Sequence, residues 1–428
     1  MVLDIKIFRN HPEVVYNSQR KRCKSTAIVD EVIELDRQWM TLKHRLEMLS
    51  YQINSLSKEI KILFVAKDIE SANHKKEQAA NIKREIKSLK LQVAGLKQLR
   101  DVRLNTIGNI VDDDVPVSDD EKDNVVVSTV LLDADNNSSG KTHHELLLMV
   151  GGVDQLRGAK VSGSRGYFLT NVGVRLNYAL IQYGLDFLRQ RDYIEIATPL
   201  LMNPSMMSLT AQLEDFDDQL YRVRVNNNNE DDKYLIATSE QPISAFHANE
   251  KLTPQTIRYA GISNCFRKEV GKGGVDVHGI FRVHEFQKVE QFVITTPDKS
   301  EDLHQQMTNI SSEFLASLGL PHRVVNIVSG ELNNAASKKY DIEGWFPGSG
   351  QFRELVSSSN CTDYQSRSLN IRFHNSKKYV HMLNATLCAT TRVICCILEN
   401  HQTETGVIVP PVLRPYMGGM EIMPYIDQ

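Results

Sequence analysis

The sequence predicts an α+β protein in which a large antiparallel β-sheet follows an N-terminal antiparallel coiled-coil hairpin of two helices. Two patterns support this fold class. An unbroken heptad repeat of apolar residues runs through residues 35–63, and from Pro199 onward short strand-like segments alternate with turns and a few helices. A chain of 428 residues also has room for two or three domains with a sizeable core.

The composition excludes several classes of protein. The formal net charge is only −3, which indicates neither a strongly basic chain nor an acidic disordered one. No apolar run approaches the roughly 20 residues that span a bilayer, and residues 1–15 resemble neither a secretory signal nor a transit peptide. We therefore expect a cytosolic protein without a membrane partner. The six cysteines are scattered, which favours free thiols over a zinc site.

The two helices of the hairpin are predicted from two apolar seams with alternating spacings of three and four residues. Between the seams, the polar residues 69–76 predict a turn. Arms of about 35 residues would each reach roughly 50 Å. The first seam consists of Leu35, Trp39, Leu42, Leu46, Leu49, Ile53, Leu56, Ile60 and Leu63, and the second of Ala79, Ile82, Ile86, Leu89, Val93 and Leu96.

The hairpin carries an uneven charge. Residues 17–104 contain 19 Lys and Arg against 11 Asp and Glu, a balance of +8, so that the rest of the chain carries −11. Taken alone, this surface is typical of a solvated coiled coil, although clustered cations also attract nucleic-acid phosphates. The second helix is the more basic, and its candidate RNA-binding residues are Lys75, Lys76, Lys83, Arg84, Lys87 and Lys90.

The domain boundary is predicted from a change of composition. The acidic, turn-rich residues 111–124 indicate a linker. It would join an N-terminal domain over residues 1–110, with its hairpin at about 30–105, to a second domain over residues 125–428. In that second domain an amphipathic helix runs into a strand-like segment that ends at Pro199.

A candidate nucleotide-binding platform lies within residues 266–292, where two strand-like segments flank a glycine-rich turn. Alternate residues of a strand share a face, so Arg267 and Glu269 point the same way. A sheet face buried in a core does not carry unpaired charges, whereas a surface for a triphosphate, a purine and an ammonium group does. Beyond the turn, the residues that share one face are Arg282, His284, Phe286, Lys288 and Glu290.

Three patterns occur in a fixed order: a helix and strand at about 172–199, a segment at about 257–293 that contains the platform, and a strand-to-helix segment at about 381–400. This order resembles motifs 1, 2 and 3 of class II aminoacyl-tRNA synthetases. With the segments ATSEQPI (237–243) and FRELVSSSNCTDYQ (352–365), and with the hairpin in front, essentially the whole chain resembles seryl-tRNA synthetases of the eukaryotic cytosolic type.

That resemblance implies a class II catalytic domain, an antiparallel sheet with flanking helices, behind a tRNA-binding hairpin. It implies an enzyme that activates L-serine with ATP to seryl-adenylate and pyrophosphate, and then transfers serine to the 3′ end of serine tRNA. Whether selenocysteine tRNA is also charged stays open. The resemblance further implies a homodimer with motif 1 at its interface, Mg²⁺ bound with ATP, and no zinc. His278 stands where many relatives carry arginine, in the loop that faces the tRNA acceptor end.

The resemblance also assigns roles to residues of the ATP site. Arg267 is expected to contact both the α-phosphate and the serine carboxylate, since a planar guanidinium group can bind two oxygen partners. Glu269 would bind the adenine amino group and Phe286 would stack on the ring. Arg267, Glu269, Arg282 and Arg392 are the expected catalytic residues. The full expected ATP set is Arg267, Lys268, Glu269, Arg282, Val283, Phe286, Glu354, Leu355, Val356, Ser357 and Arg392, of which Glu354 and Ser357 would hold Mg²⁺.

For serine, the resemblance points to a carboxylate that pairs with the substrate ammonium group, Glu290. Thr386 and Glu290 would bind the substrate hydroxyl, and alanine would leave them unpaired at a cost of about 1–3 kcal/mol. The expected serine-binding residues are Thr238, Ser239, Glu240, Arg267, Glu290, Asn384 and Thr386.

Three other interpretations compete with a seryl-tRNA synthetase. A non-catalytic synthetase paralogue that binds tRNA or nucleotide is disfavoured by the intact set of site residues. A class II enzyme for another amino acid is disfavoured by the TSE residues 238–240 and by the hairpin. A coiled-coil scaffold explains the first hundred residues and nothing after them.

Overall fold

The computed structural model describes residues 2–131, 140–210, 219–224, 232–269 and 279–426. The chain divides into two compact units, which are described separately here. Among the helices of these residues, none is both long enough and apolar enough to cross a membrane. The six cysteines carry free thiols, and all but Cys23 are buried.

The first unit, mainly Leu3–Arg20 and Lys24–Ile110, is helical. The long helices α3 and α4 contain 39 and 36 residues and pack along each other. At 1.5 Å per residue each is about 55 Å long, so the predicted helical hairpin is confirmed. The helices of this unit are α1 (Ile5–Asn10), α2 (Pro12–Lys21), α3 (Ala27–Val65) and α4 (Ile69–Leu104).

The turn of the hairpin lies earlier than predicted. Helix α4 begins at Ile69, where the Asp68 side chain accepts a hydrogen bond from the Ser71 amide at 3.1 Å. The prediction of a turn at 69–76 is wrong because the polar residues there form the exposed face of the first turns of α4. Ala72, fully buried, already lies on the seam one heptad before Ala79.

A cluster of buried charges lies at the base of the hairpin. Asp36 of α3 accepts hydrogen bonds from Arg9 Nε and from Arg100 Nη1, each at 2.6 Å. The side chains of Asp36 and Arg100 are only 3% exposed, and the Arg100 guanidinium group lies 4.9 Å from the centre of the Trp39 ring. Burial raises the pKa of Asp36, but the hydrogen bonds from the two arginines outweigh it and hold the pKa below its usual value. These contacts tie α1, α3 and α4 together.

The second unit, mainly Val111–Gln428, is built on an eight-stranded sheet. The strand order is β1–β5–β6–β7–β8–β4–β3–β2, and only the pairing of β2 with β3 is parallel. The strands are β1 (Val125–Val130), β2 (Ile194–Ala197), β3 (Ile257–Phe266), β4 (Glu285–Thr295), β5 (His322–Asn326), β6 (Lys338–Phe346), β7 (Gln351–Asn360) and β8 (His381–Ala389).

Helices α7, α10 and α12 cover one face of this sheet and form the main core with it. On β4, Val289 and Val293 point into that core, whereas Lys288 and Glu290 point to the opposite face, as strand alternation requires. The helices of this unit are α5 (His143–Met149), α6 (Gln155–Ser162), α7 (Asn171–Arg189), α8 (Pro204–Thr210), α9 (Glu240–Phe246), α10 (Ser300–Ser317), α11 (Tyr364–Leu369) and α12 (Thr390–Asn400).

Short strands and single helical turns complete the described part of this unit. The paired short strands are Val153–Asp154 with Phe168–Leu169, Leu201–Met202 with Lys233–Leu235 and Arg222–Val223, Lys251–Leu252 with Arg372–Phe373, and Gly406–Ile408 with Ile422–Pro424. The 3₁₀ turns are Glu121–Asp123, Pro297–Lys299, Ser329–Glu331 and Pro411–Met417.

Residues 111–124, predicted to be a linker, lie against the second unit. The Ser329 amide donates to the Pro116 carbonyl at 2.9 Å, and the Asn124 side chain accepts from the Val328 amide at the same distance. Val111 and Val115 are buried in a small apolar cluster that includes Val325 of β5. An acidic composition does not prevent single apolar residues from anchoring a segment.

We expect Asp36→Asn to destabilise the hairpin by about 3 kcal/mol, because it removes the charge that neutralises two arginines at a buried position. Hydrogen exchange of the α3 and α4 amides in the full-length protein measures the effect. Glu34→Gln is the matched control, since Glu34 is an exposed acid on the same helix that, among the described residues, pairs with its neighbours Arg37 and Gln38. Equal protection of the amides in the two variants would contradict the assigned role of Asp36.

Candidate active site

A cavity of about 320 Å³ opens on the face of the sheet that the main core leaves uncovered. Its walls come from β4, β7 and β8, from the residues before α9, and from the start of α12. The predicted site residues that line it are Thr238, Glu240, Arg267, Glu269, Arg282, Val283, Phe286, Glu290, Glu354, Leu355, Ser357, Asn384, Thr386 and Arg392.

Three predicted site residues are not among those that line the cavity. Ser239 is fully buried behind it and donates a hydrogen bond to Glu290. Val356 has no exposed surface and packs in the main core, so its side chain is not available to a nucleotide and only its backbone is. The Lys268 amide donates to the Gln219 carbonyl at 3.0 Å. The turn that contains His278 lies outside the described residues.

One end of the cavity is organised around Glu290, which is 2% exposed. Its Oε2 accepts hydrogen bonds from the Thr238 hydroxyl at 2.6 Å, the Ser239 hydroxyl at 2.7 Å and the Glu240 amide at 3.2 Å. Its Oε1 accepts from Lys288 Nζ at 2.7 Å. Burial raises the pKa of Glu290, but Lys288 and the hydroxyl donors hold it below its usual value. Glu290 is therefore ionised at neutral pH.

Gly261 allows the segment before α9 to pack closely against the sheet at the Glu290 end of the cavity. Gly261 on β3 pairs with Glu290 in the sheet, and a Cβ at this position would lie 2.8 Å from Ser239 Oγ. Only a residue without a side chain allows the segment before α9 to approach the strands so closely. The hydroxyl of Ser239 can thus reach the Glu290 carboxylate.

A second carboxylate, Glu240, lies beside the first. Burial and the nearby charge of Glu290 raise the pKa of Glu240 to about 7, against the opposing effects of a hydrogen bond from Gln365 and of nearby cations. Gln365 Nε2 donates to Glu240 Oε1 at 2.7 Å. On the adjacent strand β8, Thr386 pairs with Glu290 in the sheet and lines the same end together with Asn384. This end offers carboxylate, hydroxyl and amide groups to a small polar ligand.

Arg267 lies next to this end and leads to the aromatic part of the cavity. Its Nε donates to the Ala237 carbonyl at 3.3 Å, and its guanidinium group lies 5.3 Å from the centre of the Phe286 ring. The Arg267 amide donates to the His284 carbonyl at 2.9 Å, which continues the pairing of β3 with β4 by one residue. The position of Arg267 is therefore fixed by both backbone and side-chain contacts.

Glu269 and Arg282 form an ion pair, with Arg282 Nε at 2.6 Å from Glu269 Oε2. Burial raises the pKa of Glu269, but the hydrogen bond from Arg282 outweighs it and lowers the pKa. The backbone of Glu269 has φ of 49°, in the left-handed region that non-glycine residues rarely adopt. Such conformations are typical of functional sites, where surrounding contacts maintain the strain.

The opposite wall holds a second ion pair. Arg392 Nη1 donates to the Glu354 carbonyl at 3.0 Å and lies 3.3 Å from Glu354 Oε2. The Glu354 side chain faces the cavity and is 45% exposed, but protein surrounds the cavity. The partial loss of hydration raises the pKa of Glu354, whereas the charges of Arg392, Lys339 and Arg267 outweigh it and lower the pKa to about 2. An ionised carboxylate is thus maintained between cations.

Residues missed by the sequence-based assignment contribute charges to the site. Lys288 is 5% exposed at the Glu290 end, and Lys339 Nζ lies 3.2 Å from Asp341 Oδ2 near Glu354. Burial and the charge of Glu354 raise the pKa of Asp341 to about 7. Alternation along β6 places Lys339 and Asp341 on one face, and this pattern is visible in the sequence. The short connection with Gly348 and Gly350 between β6 and β7 is also a hairpin signal, and it could have placed this pair beside Glu354.

Two family models match the chain and define the class of protein to which it belongs. Residues 221–401 match the family model of the tRNA synthetase class II core domain for G, H, P, S and T, and residues 2–111 match that of the seryl-tRNA synthetase N-terminal domain. The sheet and its cavity are therefore those of a class II aminoacyl-tRNA synthetase.

Relatives along the whole chain identify the family. The chain is 48% identical to the cytoplasmic serine–tRNA ligase of Schizosaccharomyces pombe, over 100% of this chain and 97% of that protein. It is 44% identical to the cytoplasmic serine–tRNA ligase of Homo sapiens, over 100% of this chain and 92% of that protein. The crystal structure of the cytoplasmic enzyme of Naegleria fowleri in complex with AMP is similar at TM-score 0.90 and 41% identity, with 99% of each chain covered. The crystal structure of seryl-tRNA synthetase from Pyrococcus horikoshii complexed with ATP is similar at TM-score 0.92 and 38% identity, with 99% of this chain and 100% of that chain covered.

The chain belongs to the seryl-tRNA synthetase family and is a serine–tRNA ligase. The predictions of its fold class and enzymatic activity are thereby confirmed, and the catalytic interpretation is favoured over a binding paralogue. The predicted cytoplasmic location agrees with the names of these relatives and is confirmed on that ground.

Proposed function

We propose that this ligase forms seryl-adenylate in the cavity described above, with serine at the Glu290 end and ATP between Phe286 and Arg392. The observation that carries the proposal is the position of Arg267, between the carboxylate-rich end and the aromatic part of one continuous cavity. One guanidinium group there can contact the carboxylate of serine and the α-phosphate of ATP at once.

At the serine end, ionised Glu290 pairs with the substrate ammonium group, and Thr386 with Glu290 provides partners for the hydroxyl. Glu290 is supported by buried donors, so it is held rigidly and its charge is maintained. Alanine leaves the hydroxyl partners unpaired, which disfavours it by about 1–3 kcal/mol. Thr238, Ser239, Glu240 and Asn384 complete this end.

At the ATP end, the serine carboxylate attacks the α-phosphorus and pyrophosphate leaves. The reaction needs no protein nucleophile, because negative charge develops on phosphoryl oxygens and fixed cations stabilise it. Arg282 and Arg392 are held by Glu269 and Glu354 in the structure. We infer that, when ATP binds, Arg282 turns to the γ-phosphate end and Arg392 covers the face of the adenine ring opposite Phe286. Glu269 then becomes available to the adenine amino group, and Phe286 and the backbone at Val283 border the ring.

The residues present fit a magnesium ion that enters with ATP. The Glu354 carboxylate stays ionised and faces the cavity, and Ser357 lines the same wall with its hydroxyl. Carboxylate, hydroxyl and phosphate oxygens are the ligands that Mg²⁺ prefers. The ion supplies charge neutralisation for the triphosphate when bound. Glu354 and Ser357 would hold it.

The transfer step needs the 3′ end of serine tRNA, and we propose that the hairpin binds this tRNA. Lys83, Lys87 and Lys90 are exposed on one face of α4 at spacings of four and three residues. Such a stripe suits the phosphate backbone of an RNA helix, which proteins recognise mainly by shape and backbone. Lys75 instead pairs with Glu59.

The two other predicted RNA contacts on α4 are also engaged within the hairpin. Lys76 Nζ lies 4.6 Å from the centre of the Phe64 ring. Arg84 Nη2 donates to Asn81 Oδ1 at 2.6 Å. Both side chains remain exposed, so they can turn to a phosphate, but the central stripe of three lysines is the stronger part of the proposed surface.

We also propose a homodimer with motif 1 in its interface. Strand β2, the motif 1 strand, is an edge of the eight-stranded sheet. Large apolar side chains are exposed there and on α7, where Ile194 and Tyr178 are each 58% exposed, and Leu201 on the next short strand is 45% exposed. Edge strands with exposed apolar residues are typical of surfaces that pair with another chain.

Amino-acid-dependent exchange of pyrophosphate with ATP tests the proposed activation step. Of a panel of amino acids, we expect serine alone to support it. Arg267→Ala should lower the rate by at least about 100-fold with the fold retained, because a fixed donor to the developing charge is lost. Arg157→Ala is the control, since Arg157 is 79% exposed on α6. Full activity of Arg267→Ala would refute the catalytic assignment.

The proposed RNA surface is tested by changing Lys83, Lys87 and Lys90 to Gln together. We expect the KM for serine tRNA to rise by about tenfold or more, and its dependence on salt to weaken by about one unit of slope for each lost phosphate contact. Pyrophosphate exchange should not change, because it does not involve tRNA.

The control for the lysine variant removes the same charge from the exposed Lys251, Lys299 and Lys378 of the second unit. We expect it to leave the KM for tRNA within about twofold of the wild type, since long-range attraction is screened at physiological salt. An equal loss in both triple variants would show that overall charge, not the surface on α4, determines tRNA affinity.

The proposed dimer is tested by sedimentation of Ile194→Asp, which places a charge in the exposed apolar patch. We expect the wild type to sediment as a dimer and the variant to shift toward the 48.6 kDa of one chain. Ile408→Asp is the control, because Ile408 is 40% exposed on a different strand. A wild type that sediments as a single chain, or a variant that stays dimeric, would contradict the proposed interface.

A further inference from the structure

Lys288 is a buried ammonium group in the serine end of the cavity that has no role in the assignments above. It is 5% exposed and extends from β4 on the same face as Glu290. Its Nζ donates to Glu290 Oε1 at 2.7 Å and to Thr238 Oγ1 at 2.8 Å. A lysine is almost never buried without a partner, so two short contacts to proposed serine-binding residues call for an explanation.

The hydrogen bonds of Glu290 leave a defined place for a ligand. Its Oε2 already accepts from three donors, Thr238, Ser239 and Glu240, and a carboxylate oxygen has about two lone-pair directions. Among the described residues, Oε1 accepts from Lys288 alone. A further donor can therefore join only at Oε1, beside Lys288.

The charges around Glu290 also depend on Lys288. The charged or titratable groups that face Glu290 are Lys288 on its own strand, Glu240 before α9, and the Cys265 thiol on β3, while Arg267 lies close to Glu240. On the other side, β8 contributes the neutral Thr386. The pKa of Glu240 is already raised to about 7, and without Lys288 the two neighbouring carboxylates would remain with Arg267 as the nearby cation. The loss of Lys288 would therefore raise the pKa of the pair and favour its protonation at higher pH.

We propose that Lys288 is a positioning residue for serine: its ammonium group keeps Glu290 ionised and orients the Thr238 hydroxyl, so that Glu290 Oε1 receives the substrate ammonium group. The proposal rests on the proposed placement of serine at Glu290. Lys288 itself takes no part in the chemical step. It acts through the carboxylate and the hydroxyl that it holds.

The test compares Lys288→Met with Lys288→Arg in serine-dependent pyrophosphate exchange of the full-length enzyme. For Lys288→Met we expect the KM for serine to rise by about 10- to 100-fold, which is the range expected for the loss of a hydrogen bond to a charged group. The KM for ATP should stay within about twofold of the wild type. The KM for serine should also rise more steeply than in the wild type as the pH falls from 8 to 6, because Glu290 and Glu240 without the Lys288 cation take up a proton more readily. In Lys288→Arg the charge is kept, so the KM for serine and its pH dependence should return toward those of the wild type.

A matched control separates this role from a structural one. Lys338 is also buried, 3% exposed on β6, where it pairs with Glu301 at 2.9 Å. Lys338→Met should lower stability without a selective change in the KM for serine. If Lys288→Met fails to fold, Lys288→Arg still decides: a large, pH-dependent rise in its KM for serine overturns the proposal.

Two outcomes distinguish a failure of the role proposed for Lys288 from a failure of the proposed function. An unchanged KM for serine in Lys288→Met, or an equal change in the KM for serine and for ATP, overturns the role of Lys288 while leaving the activation of serine intact. A wild-type enzyme whose exchange is not stimulated by serine refutes the proposed function itself. In that case the role of Lys288 falls with it.

Discussion

The pairing of buried charges is the constraint on which the active site depends. Ionised groups cannot face the interior of a sheet protein without partners, because the loss of hydration costs several kcal/mol for each charge. Within the described residues, the site meets this constraint with ion pairs that include Lys288 with Glu290, Arg282 with Glu269, and Arg392 with Glu354. In the proposed mechanism, substrate binding replaces one set of charge partners by another, so little uncompensated charge has to be created.

This arrangement requires an antiparallel sheet that brings distant segments into register. Glu290 lies opposite Thr386, and Ser359 lies opposite Asn384, on strands far apart in the sequence. The helices on the other face hold the strands in place through the main core, which includes Val289 and Leu387. Because each strand alternates between core and cavity, packing on one face positions the chemistry on the other.

Much of this organisation follows from periodicity, and the errors have physical causes. The heptad seams predict α3 and α4, and alternation predicts the shared face of Phe286, Lys288 and Glu290. The turn predicted at 69–76 is wrong because polar residues are as common on the exposed face of a helix as in a loop. The family resemblance places Val356 among the ATP residues, and the structure leaves only its backbone for that role, because its side chain lies on the core face of β7.

The sequence by itself determined the fold class, the hairpin, the face of the platform and the family, since these depend on spacing and residue type along the chain. Only the tertiary structure decided which charges meet. Asp36 and Arg100 pair across 64 residues, and Lys288 joins Thr238 to Glu290 at the buried end of the cavity. The reason is that electrostatic interactions depend on distance and burial in space. Periodicity assigns a residue to a face but does not identify its partner.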